Sequence, residues 1–192
     1  MALYTGGYKV DTWIEVATGA ITSATTHFDI DWNTHRVSDY KIFKVFLTDV
    51  HVTDGLTFYA RFLTADNTPA TSGHYGGYYT HGEGNGDITQ NDASYNNAAF
   101  VPFWGLRTAA SLSGTYRGNL EFTVNTGNDA VGGVPNYWWH GTARISTSLA
   151  SHYGGAGTCT QNAKFGVRFE SNTNTGNNIL KARYKVLGMK NG

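Results

Sequence analysis

The chain has 192 residues, of which 40% are hydrophobic, 14% aromatic and only 15% charged. Glycine is abundant (24) and proline scarce (3), a balance against helical bundles, which draw on Ala, Leu, Glu and Lys, and against disorder, which lacks aromatics. Lys plus Arg and Asp plus Glu both number 14, so no basic excess drives phosphate-backbone binding, and nucleic acid is not an expected partner.

Alternation of apolar and polar residues runs through the chain. Thr12 to Val16 predicts a short strand. Phe28, Ile30 and Trp32 share one face of the next, with Asp29 and Asp31 on the other. Tyr40 to Leu47 is more continuously apolar, as in a strand covered on both faces. Leu56 to Phe62 alternates again. So do Leu120 to Val124, Trp139 to Ile145, Phe165 to Phe169 and Leu180 to Val186. Period-two runs separated by Gly, Asn, Asp and Ser/Thr predict an all-β fold, a two-sheet antiparallel β-sandwich of jelly-roll-like form. We expect a single sandwich domain over 12–192 behind an N-terminal arm, 1–11. Phe28, Ile30, Phe58, Phe62, Phe122, Val167, Phe169 and Tyr184 form the predicted core.

Residues 64–99 hold few aliphatic side chains and read as a long loop with a short strand around Tyr78. Gly84-Asn85-Gly86-Asp87 reads as a turn and not a phosphate cradle, since no strand is expected before it and no helix after it. Residues 146–162 and 171–178 read as further polar connections.

The chemistry-bearing residues are sparse. Cys159 is alone, so no intrachain disulfide and no Cys/His zinc spacing exists. The histidines at 27, 35, 51, 74, 81, 140 and 152 form neither HxH nor HExxH. No zinc or other cofactor is expected, although Asp29 and Asp31 would suit weak calcium if loop carbonyls joined them. A glycosidase would need two carboxylates across a cleft. The four glutamates, Glu15, Glu83, Glu121 and Glu170, read as groups on solvated strand faces, and the Glu-Tyr-Tyr strand of small jelly-roll xylanases is missing. Catalytic residues are therefore not expected. No apolar run approaches 18 residues, so no membrane partner is expected, and the chain reads as made in a cytosol.

Two aromatic clusters remain. Tyr75, Tyr78 and Tyr79 stand with His74 and His81 in a glycine-rich loop; Tyr137, Trp138, Trp139 and His140 follow Pro135. Tyr75, Tyr78, Tyr79, His81, Trp138 and His140 are the candidate contact residues, for a subunit or for a sugar ring, with plain packing as the alternative. Residues 73–87 hold three tyrosines and six glycines without an aliphatic anchor, so contact with a partner is expected to order them. Lys181, Arg183 and Lys185 share one face of the last strand. They suit an acidic neighbour, a solvated face, or charge protection of a sheet edge.

Phe165-Gly166-Val167-Arg168-Phe169-Glu170-Ser171, then Gly176-Asn177-Asn178-Ile179, then Tyr184-Lys185-Val186-Leu187-Gly188-Met189-Lys190 resembles the ending of small β-sandwich virion proteins of tailed bacteriophages, especially marine ones. Tyr40 to Asp49, Leu56 to Thr64, Thr71 to Tyr75 and Gly118 to Phe122 fit the same layout. The family usually ends in Leu-Tyr-Gly, where this chain has Val186-Leu187-Gly188. The resemblance spans about residues 25–190 and supplies no catalytic residue. It implies a non-enzymatic structural protein of a virion: a capsid decoration or appendage, or a tail fibre or tip component, partnered by other virion proteins and by copies of itself. A carbohydrate-binding module or receptor-binding tip that recognises a cell-surface glycan is the alternative.

Overall fold

The computed structural model describes residues 4–5, 8–9, 12–32, 40–52, 58–70, 75–84, 88–98, 101–103, 118–126, 134–144, 150–161, 163, 165–171 and 179–190. The strands are β1 (Tyr4–Thr5), β2 (Tyr8–Lys9), β3 (Trp13–Ile21), β4 (His27–Asp31), β5 (Tyr40–Val52), β6 (Phe58–Leu63), β7 (Tyr75–Gly84), β8 (Ile88–Ala98), β9 (Val101–Phe103), β10 (Gly118–Asn125), β11 (Asn136–Arg144), β12 (Ala150–Cys159), β13 (Gly166–Ser171) and β14 (Ile179–Lys190). There is no helix among the described residues. Eight strands form one sheet in the order β3-β14-β5-β10-β11-β12-β7-β8, and four form another, β4-β13-β6-β9. Every pairing in both is antiparallel. β1 and β2 pair only with each other, apart from both large sheets.

The fold is the expected two-sheet β-sandwich, and alternation explains its core. The small sheet contributes Phe28, Ile30, Phe58, Ala60, Phe62, Phe103, Val167 and Phe169; the large sheet contributes Phe43, Val45, Leu47, Leu120, Phe122, Val124, Tyr137 and Trp139. All of these are buried in one cluster. The layers interlock through rings: Phe62 lies 5.9 Å from Phe122 and 5.4 Å from Tyr137, and Phe103 meets Trp139 edge-on at 5.8 Å. Of the predicted core only Tyr184 is half-buried; it stacks on Phe28 at 6.1 Å from the margin. Leu47 and Val50 both face inward although three residues apart. A register shift opposite Gly118–Leu120 inserts one residue in β5 there, and Asp49 takes the left-handed backbone (φ 57°) that Asp tolerates.

Several expectations need correction. The stretch 64–99 is not a long loop: β7 and β8 pair along almost their whole lengths and extend the large sheet to its edge. A strand therefore does precede Gly84, although Asn85, Gly86 and Asp87 lie outside the described residues. The connection 146–162 contains β12, a full interior strand between β11 and β7. β5 is fully buried on one face only, with Ile42, Lys44 and Phe46 half-covered on the other. β14 is no edge strand, since β3 and β5 flank it. Leu56, His74, Ile145 and residues 172–178 lie outside the described residues.

Candidate functional site: the outer face of the eight-stranded sheet

Strand alternation divides the six candidate contact residues between two environments. Tyr75 faces inward on β7, is 1% exposed, and accepts a hydrogen bond from the Phe62 amide at 2.7 Å. Burial pushes its phenol well above the ordinary tyrosine range. It is a core residue, which corrects its reading as a surface anchor. Tyr79, four residues on and so on the same face of the strand, is half-buried and packs against the core. His81 pairs in register with Tyr153, and its side chain lies outside the described residues. Tyr78, Trp138 and His140 face outward, the first two 60% and 44% exposed.

Register brings Tyr78 and Trp138 together. Across the sheet, Lys44 pairs with Thr123, Thr123 with Trp138, Trp138 with Ala156, Ala156 with Tyr78, and Tyr78 with Ser94. Trp138 and Tyr78 thus stand two strand spacings apart, about 9.5 Å, with only a methyl group between them. The next row runs Phe46, Glu121, His140, Gly154, Thr80. β12 therefore lays a floor of Gly154 and Ala156 between walls of Trp138 and His140 on one side and Tyr78 and Thr80 on the other. The two aromatic clusters, 60 residues apart in sequence (78 and 138), meet because β12 bridges β11 and β7.

The polar groups beside this trough are already engaged with one another. Glu121 lies 2.5 Å from Lys44 Nζ and 3.7 Å from His140 Nε2. The Lys44 ammonium also sits over the Trp13 ring, 5.2 Å from its centroid. Phe46, Thr48, Asn119, Glu121, His140 and Thr142 line an open groove of about 280 Å³ next to Trp138. Thr123 is fully buried beneath this face, and its hydroxyl has no hydrogen-bond partner among the described residues.

On the opposite face of the sandwich, β13 carries a second polar system. Arg168 grips Asp29 with two hydrogen bonds, 2.7 and 2.8 Å. Arg61 grips Glu170 likewise, at 2.9 and 2.7 Å, and Tyr59 donates to Glu170 at 3.2 Å. Burial, then the Glu170 charge, raises the Tyr59 phenol to about 12. Both Asp29 oxygens are taken by Arg168, which leaves this aspartate poorly placed to hold calcium. Among the described residues, no group of three or more His, Cys, Asp or Glu converges as metal ligands do.

Sequence reasoning missed Ala156, Gly154 and Thr80 as part of the site because it missed β12. The available signal was the alternation of Ser151, Tyr153 and Cys159 with outward His152 and Thr158, diluted by the glycines between them. No family model matches this sequence, and neither a curated protein nor a solved structure matches it.

Proposed function

We propose that the chain is a non-enzymatic structural protein of a bacteriophage virion, a capsid decoration or appendage or a tail fibre or tip component, that associates with further copies of itself through the outer face of the eight-stranded sheet. The virion assignment rests on the resemblance of the strand-and-turn sequence pattern. The contact face rests on one observation: Trp138 and Tyr78 stand exposed in a single row across Ala156. Exposed Trp and Tyr on rigid strands give large contact area at small entropic cost, the property of interface anchors. Zero formal net charge adds no repulsion between copies. The aromatics act from strands, not from loops.

The carboxylates support a role without catalysis. Glu15, Glu121 and Glu170 are each held by a cation, Lys185, Lys44 and Arg61 respectively. Glu121 and Glu170 face outward from opposite sheets, with a core about 10 Å thick between them, so they cannot share a sugar.

Recognition of a cell-surface glycan is the second reading, favoured by the same trough. Gly154 and Ala156 leave room for a flat ring between two aromatic walls, and His140, Thr80 and Thr142 offer hydrogen bonds at its rim.

Native mass spectrometry separates the two. Self-association of the full chain that Tyr78→Ala and Trp138→Ala weaken, with melting unchanged, supports assembly. A monomer whose Trp138 fluorescence responds to a glycan array hit supports the second reading instead.

A further inference from the structure

The three basic residues on the outward face of β14 are not equivalent. Lys181 Nζ lies 2.8 Å from Asp49, and Lys185 Nζ lies 2.7 Å from Glu15. Arg183, between them, is exposed, and no carboxylate among the described residues lies within ion-pair reach of it. Its neighbours in register are small, Ala20 on β3 and Thr48 on β5. β14 is an interior strand, so this charge does not guard a sheet edge.

Arg183 lines an open groove of about 630 Å³ with Thr18, Ala20, Phe46, Thr48 and Lys185. That volume falls within the range of roughly 300–1,000 Å³ typical of small-molecule sites. A guanidinium is a planar fork that matches a carboxylate with two parallel hydrogen bonds. Because both flanking lysines are neutralised, the described groups leave the groove one uncompensated positive charge, suited to one anionic group. Phe46, half-buried on the ridge that this groove shares with the one beside His140, adds a flat apolar wall. Thr18 and Thr48 add hydroxyls. Aromatic wall, hydroxyls and one unpaired guanidinium together match a sugar that carries a carboxylate.

We propose that this groove binds a uronate unit of an acidic polysaccharide, its carboxylate on Arg183 and its ring against Phe46. The groove lies on the same outer face as the Trp138–Tyr78 row but on its other half, since β5 and β10 separate β14 from β11 in the sheet. The proposal concerns a ligand of different chemistry, and Trp138 takes no part in it.

Calorimetric titration of the full chain with tetragalacturonate at low salt tests it. Saturable binding is expected, weaker by about tenfold or more for the methyl-esterified oligomer, in which the charge is gone. Arg183→Gln should weaken uronate binding at least as much. Arg183→Lys, which keeps the charge but loses the fork, should fall between. Phe46→Leu should weaken binding several-fold, and Trp138→Ala should leave it unchanged. Arg183 is exposed, so both its variants should melt with the parent. No saturable binding, equal affinity for the ester, or full affinity in Arg183→Gln would overturn the proposal. So would a loss of binding in Trp138→Ala, which would put the sugar on the other half of the face. Inorganic phosphate that displaces the oligomer at equal concentration would show an anion site with no preference for sugar, and would also overturn it.

Discussion

The indole of Trp139 occupies the space that a side chain on Gly155 would need. A Cβ built on Gly155 would lie 2.5 Å from Trp139 Cζ2 and 2.6 Å from Cη2, and it would also collide with the Tyr78 carbonyl. Gly157 stands in the same relation to Tyr137, whose hydroxyl would lie 2.6 Å from the added carbon. On the inner face of β12 the core is thus filled by rings reaching across from β11. Gly154, on the outer face, is different: its nearest neighbour would be the Trp139 carbonyl at 3.2 Å. Gly155→Ala should therefore destabilise the fold by about 1–3 kcal/mol, the usual cost of overpacking, and Gly154→Ala by clearly less. Urea unfolding of the two variants side by side checks this ordering.

Phe122 is the hub of the core. It meets Phe62, Phe103, Tyr137 and Phe169 at centroid distances of 5.8–6.2 Å. Phe122→Ala should cost about 3–5 kcal/mol, as large aromatic truncations in well-packed cores do. A loss under about 1 kcal/mol in denaturant unfolding would contradict the packing described.

Alkaline pH should unfold the protein through its buried phenols. Tyr59 is raised to about 12 by burial and the Glu170 charge, and burial pushes Tyr75 and Tyr153 higher still. A phenol in the unfolded chain ionises near pH 10, so above that pH the folded state binds more protons than the unfolded state. Stability is then full below about pH 10 and falls as pH climbs through the folded value of Tyr59. In a titration followed by phenolate absorbance, these three tyrosines should ionise only with the loss of tertiary circular dichroism.

Thr123 carries a fully buried hydroxyl with no hydrogen-bond partner among the described residues. Replacing an unsatisfied hydroxyl with a methyl group of the same shape removes a desolvation penalty. Thr123→Val should be neutral or more stable by up to about 1 kcal/mol in the same unfolding assay. A marked loss would mean that the hydroxyl is satisfied.

Much of the fold was legible in sequence wherever bulky residues alternate. Phe28-Asp29-Ile30-Asp31, Leu120 to Val124 and Phe165 to Phe169 announce their inward faces directly, because each inward position carries a large apolar side chain. β12 was not legible. Its inward positions include Gly155 and Gly157, whose apolar mass is supplied by Trp139 and Tyr137 on the neighbouring strand. The hydrophobic pattern of β12 is in effect written in the sequence of β11. β7 was half-legible: Tyr75 and Tyr79 are its inward residues, but an equally aromatic Tyr78 faces out and blurs the period. The contact face needed the sheet order, since only the β11-β12-β7 pairing sets Trp138 beside Tyr78.

The exposed row of Trp138 and Tyr78 carries the functional account, and hydroxyl-radical footprinting reads it directly. In dilute, dissociated protein both side chains should be oxidised readily, in line with their exposures of 44% and 60%. In the associated protein both should become protected together, while exposed Ile14 at the distant edge strand β3 keeps its reactivity. Equal oxidation of Trp138 and Tyr78 in the two states would contradict the assignment of this face to assembly.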